Sequence, residues 1–247
     1  MTPWPYPRWV AHRGAGLLAP ENTLAAFKLG AQRGFQMFEC DAKLSSDGVV
    51  FLMHDATLDR TTNGIGEAGS LTWPALSELD AGSWHSSAFN TEPVPRLRTI
   101  ARWLIARKLM LNIEIKPTPG TEVQTGEAVA REAAQLWASS NTLPLLSSFQ
   151  RESLKAAARI APHLPRGLLM HEWHDDAFDH IQQHRHRALI CNHKIWTAER
   201  LRKAKELGIW RLSYTVNDPV DAQQLWQWGH EALITDAIDV FHPQQAD

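Results

Sequence analysis

The chain has 247 residues, is 44% hydrophobic and 21% charged, and carries a formal net charge of −2. That balance is globular, allows a large core, and lacks the basic excess that points to nucleic acid or an anionic membrane. It has no run of about 18 apolar residues for a membrane span. Met1-Thr2-Pro3-Trp4-Pro5-Tyr6-Pro7 lacks the basic and apolar regions of a secretory signal. Two cysteines, Cys40 and Cys191, make no disulfide framework, so a reduced cytoplasmic protein is expected.

Short apolar runs alternate with helical patterns. Trp9-Val10-Ala11 leads into His12-Arg13-Gly14. Pro20-Glu21-Asn22-Thr23 opens a helix with Leu24, Phe27 and Ala31 on one side and Asn22 or Thr23 as N-cap. Gly34 closes it, and a strand over 35–41 follows. Val49 to Met53 is apolar and ends at His54-Asp55; it reads as an extension of that second strand. Residues 56–94 carry Asn63-Gly64, Gly66, Gly69, Trp73-Pro74, Gly82 and Pro93, which is turn chemistry and predicts an inserted loop-rich lobe. A helix over 96–106, a strand over 109–116 and a helix over 122–138 come next. Further strands are predicted at 144–149, 167–170, 188–191, 210–216 and 231–235. Helices are predicted from 149 through Ala158 and near 176–184, 197–207 and 218–228. Gly208 and Gly229, like Gly34, take the position after a helix that glycine favours.

These make eight strand–helix units, roughly 31 residues each, which suits an α/β fold of the TIM (β/α)8 barrel type, one domain over 1–247 with the insertion after the second strand. The runner-up is a doubly wound open sheet; His12-Arg13-Gly14-Ala15-Gly16 lacks the full glycine spacing of its phosphate turn.

Barrel chemistry sits at the C-terminal strand ends. His12, Arg13, Glu39, Asp41, His54, Glu114, Lys116 and Asn217 all fall at or just past such ends. Glu39 and Asp41 share a strand face, as do Glu114 and Lys116. Carboxylates ending apolar strands are costly in a core unless they hold a cation or neutralise one another. Hard oxygen ligands without cysteine suit Mg²⁺ or Ca²⁺ rather than Zn²⁺. Two histidines can act as base and acid near neutral pH, and Arg13 and Lys116 can hold a phosphoryl group. The kit suits metal-assisted phosphodiester cleavage.

His12-Arg13-Gly14, Pro20-Glu21-Asn22-Thr23, Glu39-x-Asp41, His54-Asp55, Arg60-Thr61-Thr62-Asn63-Gly64, Glu114-Ile115-Lys116 and Thr215-Val216-Asn217, in that order, resemble the glycerophosphodiester phosphodiesterase family, most of all its bacterial cytosolic form. The resemblance covers nearly the whole chain. It implies a TIM barrel with a small insertion. It implies hydrolysis of glycerophosphodiesters, such as glycerophosphocholine and glycerophosphoethanolamine, to sn-glycerol 3-phosphate and an alcohol. It places one divalent cation, Mg²⁺ or Ca²⁺, on Glu39, Asp41 and Glu114. It makes His12 and His54 the acid–base pair, His12 assigned as base, and puts Arg13 and Lys116 on the phosphate. Tyr214 stands where the family usually has another aromatic, often Trp, before Thr-Val-Asn. The partner expected is a small glycerophosphodiester, with no nucleic acid and no membrane; the oligomeric state is open. Alternatives are a phospholipase D-like hydrolase of lysophospholipids and a non-catalytic phosphodiester-binding barrel.

His171, His174, His180, His184 and His186 gather with Asp175, Asp176 and Asp179; a solvated polar helix and its entry loop is preferred to a second metal site. Cys40 is expected behind the sheet. Asn192-His193-Lys194, Asp236, Trp84 and Phe89 are candidates for lining or capping the pocket.

Overall fold

The structure, a computed structural model, describes residues 3–243. Met1 and Thr2 of the leader reading and 244–247 of the 1–247 unit lie outside them. The chain runs β1 (Trp9–Ala11), α1 (Leu24–Gln32), β2 (Met37–Leu44), β3 (Val50–Leu52), α2 (Trp73–Ser77) and α3 (Leu97–Ile105). It continues through β4 (Met110–Ile115), α4 (Glu122–Leu136), β5 (Leu145–Ser148), α5 (Arg151–Ile160), β6 (Arg166–Met170) and α6 (Ala177–Gln183). It ends with β7 (Ala188–Asn192), α7 (Ala198–Glu206), β8 (Trp210–Tyr214), α8 (Pro219–Gln227) and β9 (Ala232–Thr235).

Eight parallel strands close in the order β1-β2-β4-β5-β6-β7-β8-β9, with β9 pairing back to β1. This is the (β/α)8 barrel that the alternation of runs predicts. Strands buried on both faces read as near-continuous apolar runs, and β2 is buried at seven of its eight positions. Its Phe38, Cys40 and Ala42 enter the cluster shared with α1, α3 and α4, so Cys40 lies behind the sheet as expected. Met37 belongs to the interior cluster with Val10, Leu145, Leu212 and Ile234. Because alternate residues share a face, Glu39, Asp41 and Lys43 follow Met37 up the interior towards the mouth.

The 49–53 run does not extend β2. It turns back as β3, antiparallel to β2, with Leu52 opposite Ala42. Ser45-Ser46-Asp47-Gly48 makes that turn. Ser45 Oγ donates to Asp47 Oδ1 at 2.6 Å, accepts from Val49 N at 2.9 Å, and Gly48 takes φ +83°. The hairpin carries the chain past the barrel rim and back, so His54 returns to the mouth, where Met53 N donates to the Asp41 carbonyl at 2.9 Å. Residues 56–94 follow with α2 and short 3₁₀ turns, packed on Phe51, Met53, Leu58, Leu76 and Val94. Glu92 ties this lobe to α1 by accepting from Ala25 N at 2.9 Å.

Thr23, not Asn22, caps α1, its Oγ1 accepting from Ala26 N at 3.3 Å. That frees the Asn22 side chain for the site. Among the described residues, no helix is long and apolar enough to cross a membrane.

Candidate functional site

Neighbouring strands β2 and β4 set Asp41 directly opposite Glu114, and Glu39 lies one pleat below Asp41. One carboxylate oxygen from each of Glu39, Asp41 and Glu114 lies within 4.8 Å of the other two, all buried. Lys116, just past β4, puts Nζ 2.8 Å from Glu114 Oε1 and 3.5 Å from Asp41 Oδ1. Arg13 takes the left-handed φ of +50° that its side-chain type rarely adopts. In that turn its backbone N–H donates to Glu39 Oε2 at 3.0 Å and its Nε lies 3.3 Å from Asp41 Oδ2. Asn22 clamps Asp41 from behind, donating to Oδ2 at 2.8 Å and accepting from its backbone N–H at 3.1 Å.

Each imidazole is held by an aspartate at Nδ1. His12 pairs with Asp236 Oδ1 at 2.6 Å and His54 with Asp55 Oδ1 at 2.7 Å. A carboxylate there makes Nδ1 the N–H and leaves Nε2 for chemistry. Nε2 of His12 is 3.8 Å from Glu39 Oε2. Asp236 is itself braced: Asn217 Nδ2 donates to its Oδ2 at 3.2 Å, while Asn217 Oδ1 accepts from the Asp236 backbone N–H at 2.9 Å. Behind His54, Arg60 bridges Asp55 and Glu21, and Glu21 accepts in turn from Arg13 at 2.9 Å.

Burial first, and Asp41 next, push Glu39 up to about 8, and the same two causes raise Glu114. Burial would raise Asp41 as well, but Arg13 and Lys116 hold it well below the usual carboxylate range. Burial opposes the charge on His12, yet the Asp236 hydrogen bond and Glu39 outweigh it and raise its pKa; burial lowers His54. Glu39 Oε1 is buried and has no hydrogen-bond partner. Three buried acids, one kept protonated to above neutrality and one oxygen unpartnered, fit a bound cation. A hard divalent ion would let all three ionise.

These side chains line one cavity of about 210 Å³ with His12, Arg13, Glu39, His54, Glu114 and Lys116 on its wall. Asp41 lies just beneath, 1% exposed. The structure thus brings all seven predicted residues together. It adds several that the sequence reading passed over as site residues: Glu21, Asn22, Asp55, Arg60, and His171, which lines the cavity just past β6. Asp236, a candidate for lining the pocket, braces His12. For His171 and Asp236 the strand-end rule was already the signal. Asn192, His193 and Lys194 do not reach the cavity; Asn192 caps a short turn, accepting from Lys194 N at 3.1 Å. Trp84 and Phe89 do not line it either. His180 and His186 are buried, not solvated; after the left-handed turn at Arg185, His186 N donates back to the Ile181 carbonyl of α6 at 2.9 Å.

Two substitutions test this bracing. Asp236→Asn removes the hydrogen bond that does most to raise His12, so the pH–rate limb set by His12 is expected to move lower, with kcat down about 10–100-fold and KM little changed. Steady-state kinetics across pH checks it. Gly16, at φ +55°, has room for no Cβ, which would sit 2.0 Å from the Asp236 carbonyl oxygen. Gly16→Ala is therefore expected to cost about 2–4 kcal/mol in urea unfolding and to lower kcat with it.

Fold and site together define a barrel enzyme with an acidic, cation-competent mouth. The profile of the glycerophosphoryl diester phosphodiesterase family matches residues 12–240. The chain belongs to that family and is a phosphodiesterase. It is 30% identical over 236 residues to a glycerophosphodiester phosphodiesterase of Caldanaerobacter subterraneus, covering 92% of this chain and 93% of the relative. It is 29% identical to one of Bacillus subtilis, covering 94% and 84%. Among solved structures, an Oleispira antarctica phosphodiesterase in complex with the product sn-glycerol-3-phosphate superposes with a TM-score of 0.88 at 29% identity, covering 95% of each chain.

Proposed function

We propose that this chain hydrolyses small glycerophosphodiesters, such as glycerophosphocholine and glycerophosphoethanolamine, to sn-glycerol 3-phosphate and an alcohol. One divalent cation, Mg²⁺ or Ca²⁺, would be held by Glu39, Asp41 and Glu114. The observation that carries the reading is the cavity at which Glu39 and Glu114, with Asp41 just beneath, meet two imidazoles and the side chains of Arg13 and Lys116. The sn-glycerol-3-phosphate held by the Oleispira protein supports the product. The catalytic unit would be 1–247 with 56–94 as its insertion, working in the cytoplasm.

When bound, the cation supplies Lewis-acid charge for the phosphoryl oxygens and glycerol hydroxyls. The chain's own groups do the rest. Arg13 and Lys116 orient the phosphoryl group and share its developing negative charge. His12 takes a proton at Nε2 from the nucleophile, either the neighbouring glycerol hydroxyl, giving a cyclic phosphate, or water. His54 gives a proton from Nε2 to the departing alkoxide. Charges on the protein alone favour the proton on His12; a cation held by Glu39, Asp41 and Glu114 would oppose it. Oxygen-18 labelling that shows one direct displacement removes the cyclic route.

An assay coupled to glycerol-3-phosphate dehydrogenase tests the whole reading. Turnover with added Mg²⁺ or Ca²⁺, lost with EDTA, is expected; no turnover with any cation would leave a binding barrel. Faster release of choline from lysophosphatidylcholine than from glycerophosphocholine, measured as choline, would favour the phospholipase D-like alternative.

A further inference from the structure

A second recess, about 700 Å³, opens at the opposite end of the barrel, where β6, β7 and β8 begin. Among the described residues its ionisable lining is wholly basic: His163, Arg166, His184, Arg185, His186 and Arg187, with no Asp or Glu. The left-handed turn at Arg185, φ +53°, brings four of these in succession to this recess, with Arg185 and Arg187 exposed and His186 buried.

Arg166 is 5% exposed. Its Nη1 donates to the Leu164 carbonyl at 2.7 Å and the Pro162 carbonyl at 3.3 Å, while its buried Nε has no partner. Burial, then the nearby Arg187, push the Arg166 pKa down. His186 is also 5% exposed, and neither ring nitrogen has a partner. Burial and Arg166 hold it neutral, at about 3.

Cations gathered in a recess whose described lining holds no carboxylate repel one another and lose hydration, a cost that an anion removes. A metal ion on His180, His184 and His186 fits poorly. Arg151, Lys155 or Arg166 presses on each imidazole. Among the described residues, ligand atoms converge only at the acidic trio.

We infer that this recess binds a compact, multiply charged anion of the phosphate class, at the end of the barrel away from the reacting phosphodiester. Its volume lies within the range of small-molecule sites, about 300–1,000 Å³. Arg187 and Arg185 are exposed and meet the anion first; Arg166 fixes the depth. The phosphate can come from an inorganic polyphosphate or from a nucleotide. Both share the charge that the recess recognises.

Isothermal titration of the whole protein with inorganic pyrophosphate and, separately, ADP tests the site. Binding that weakens with salt is expected, along with a loss of about tenfold or more in Arg187→Glu. Lys116→Ala, at the mouth, should keep the affinity within about twofold. Tighter ADP binding would point to a nucleotide, tighter pyrophosphate binding to the inorganic anion. Arg185→Glu serves as a second variant should Arg187→Glu fail to fold. No binding of either probe at millimolar concentration overturns the site. So does binding that survives Arg187→Glu or Arg185→Glu in a folded protein. Equal loss in Lys116→Ala overturns it as a site separate from the mouth.

Discussion

Glu39→Gln is expected to cut kcat/KM by about 10³-fold while leaving the cation-free protein at least as stable as the wild type. The two halves have one cause. Glu39 is 3% exposed, and burial beside Asp41 pushes it up from 4.5 to about 8. Without a cation the folded protein therefore holds a proton there that the unfolded chain releases above about 4.5. A folded state that binds more protons loses stability as pH rises. Cation-free wild type should thus lose Tm between pH 4.5 and about 8, and Mg²⁺ or Ca²⁺ should restore it, most at the alkaline end. The glutamine is already neutral, so its Tm should be flatter with pH and about 2–4 °C or more higher at pH 8, the shift that roughly 1 kcal/mol makes in a domain of this size. It removes a hard, charged ligand, so added cation should raise its Tm far less. Thermal unfolding at pH 5 and 8, with and without cation, reads all of this alongside the assay. Full activity in Glu39→Gln with unchanged cation dependence would sink the proposed ion site.

His54→Ala is expected to lose about 10²–10⁴-fold in kcat on glycerophosphocholine and far less on a nitrophenyl diester. Choline leaves as a strongly basic alkoxide and needs a proton, whereas nitrophenolate does not. His12→Ala should lose comparably on both, because the nucleophile still needs its base. Side-by-side kinetics of the two variants on the two substrates settles the roles. If His12→Ala, not His54→Ala, is rescued by the nitrophenol, the acid and base exchange places. Equal losses with both substrates in both variants would remove leaving-group protonation from the mechanism.

The barrel was legible because its signals are local. Gly34, Gly208 and Gly229, each following a helix, take φ of +90°, +69° and +83°, and apolar runs between such stops become strands buried on both faces. The seven residues gathered at the cavity were legible for a related reason: polar groups ending apolar runs are costly there without a role. The β3 hairpin was harder to read. An apolar run of five residues has the same appearance whether it continues a strand or reverses beside it. The antiparallel pairing with β2 and the Ser45–Asp47–Gly48 turn show that it turns back.

The sequence by itself determined the parallel barrel, the strand-end carboxylates and the two imidazoles, since spacing along a strand decides which side chains share a face. Only the tertiary structure decided who braces whom. Asp236 lies 224 residues from His12 in the chain yet pairs with it, because β9 closes onto β1. Asn22 gives up its helix-cap role for Asp41, and Arg60 spans Asp55 and Glu21. Such partners are fixed by barrel closure and loop packing, which bring distant strand ends within hydrogen-bond reach and leave no periodic trace in the chain.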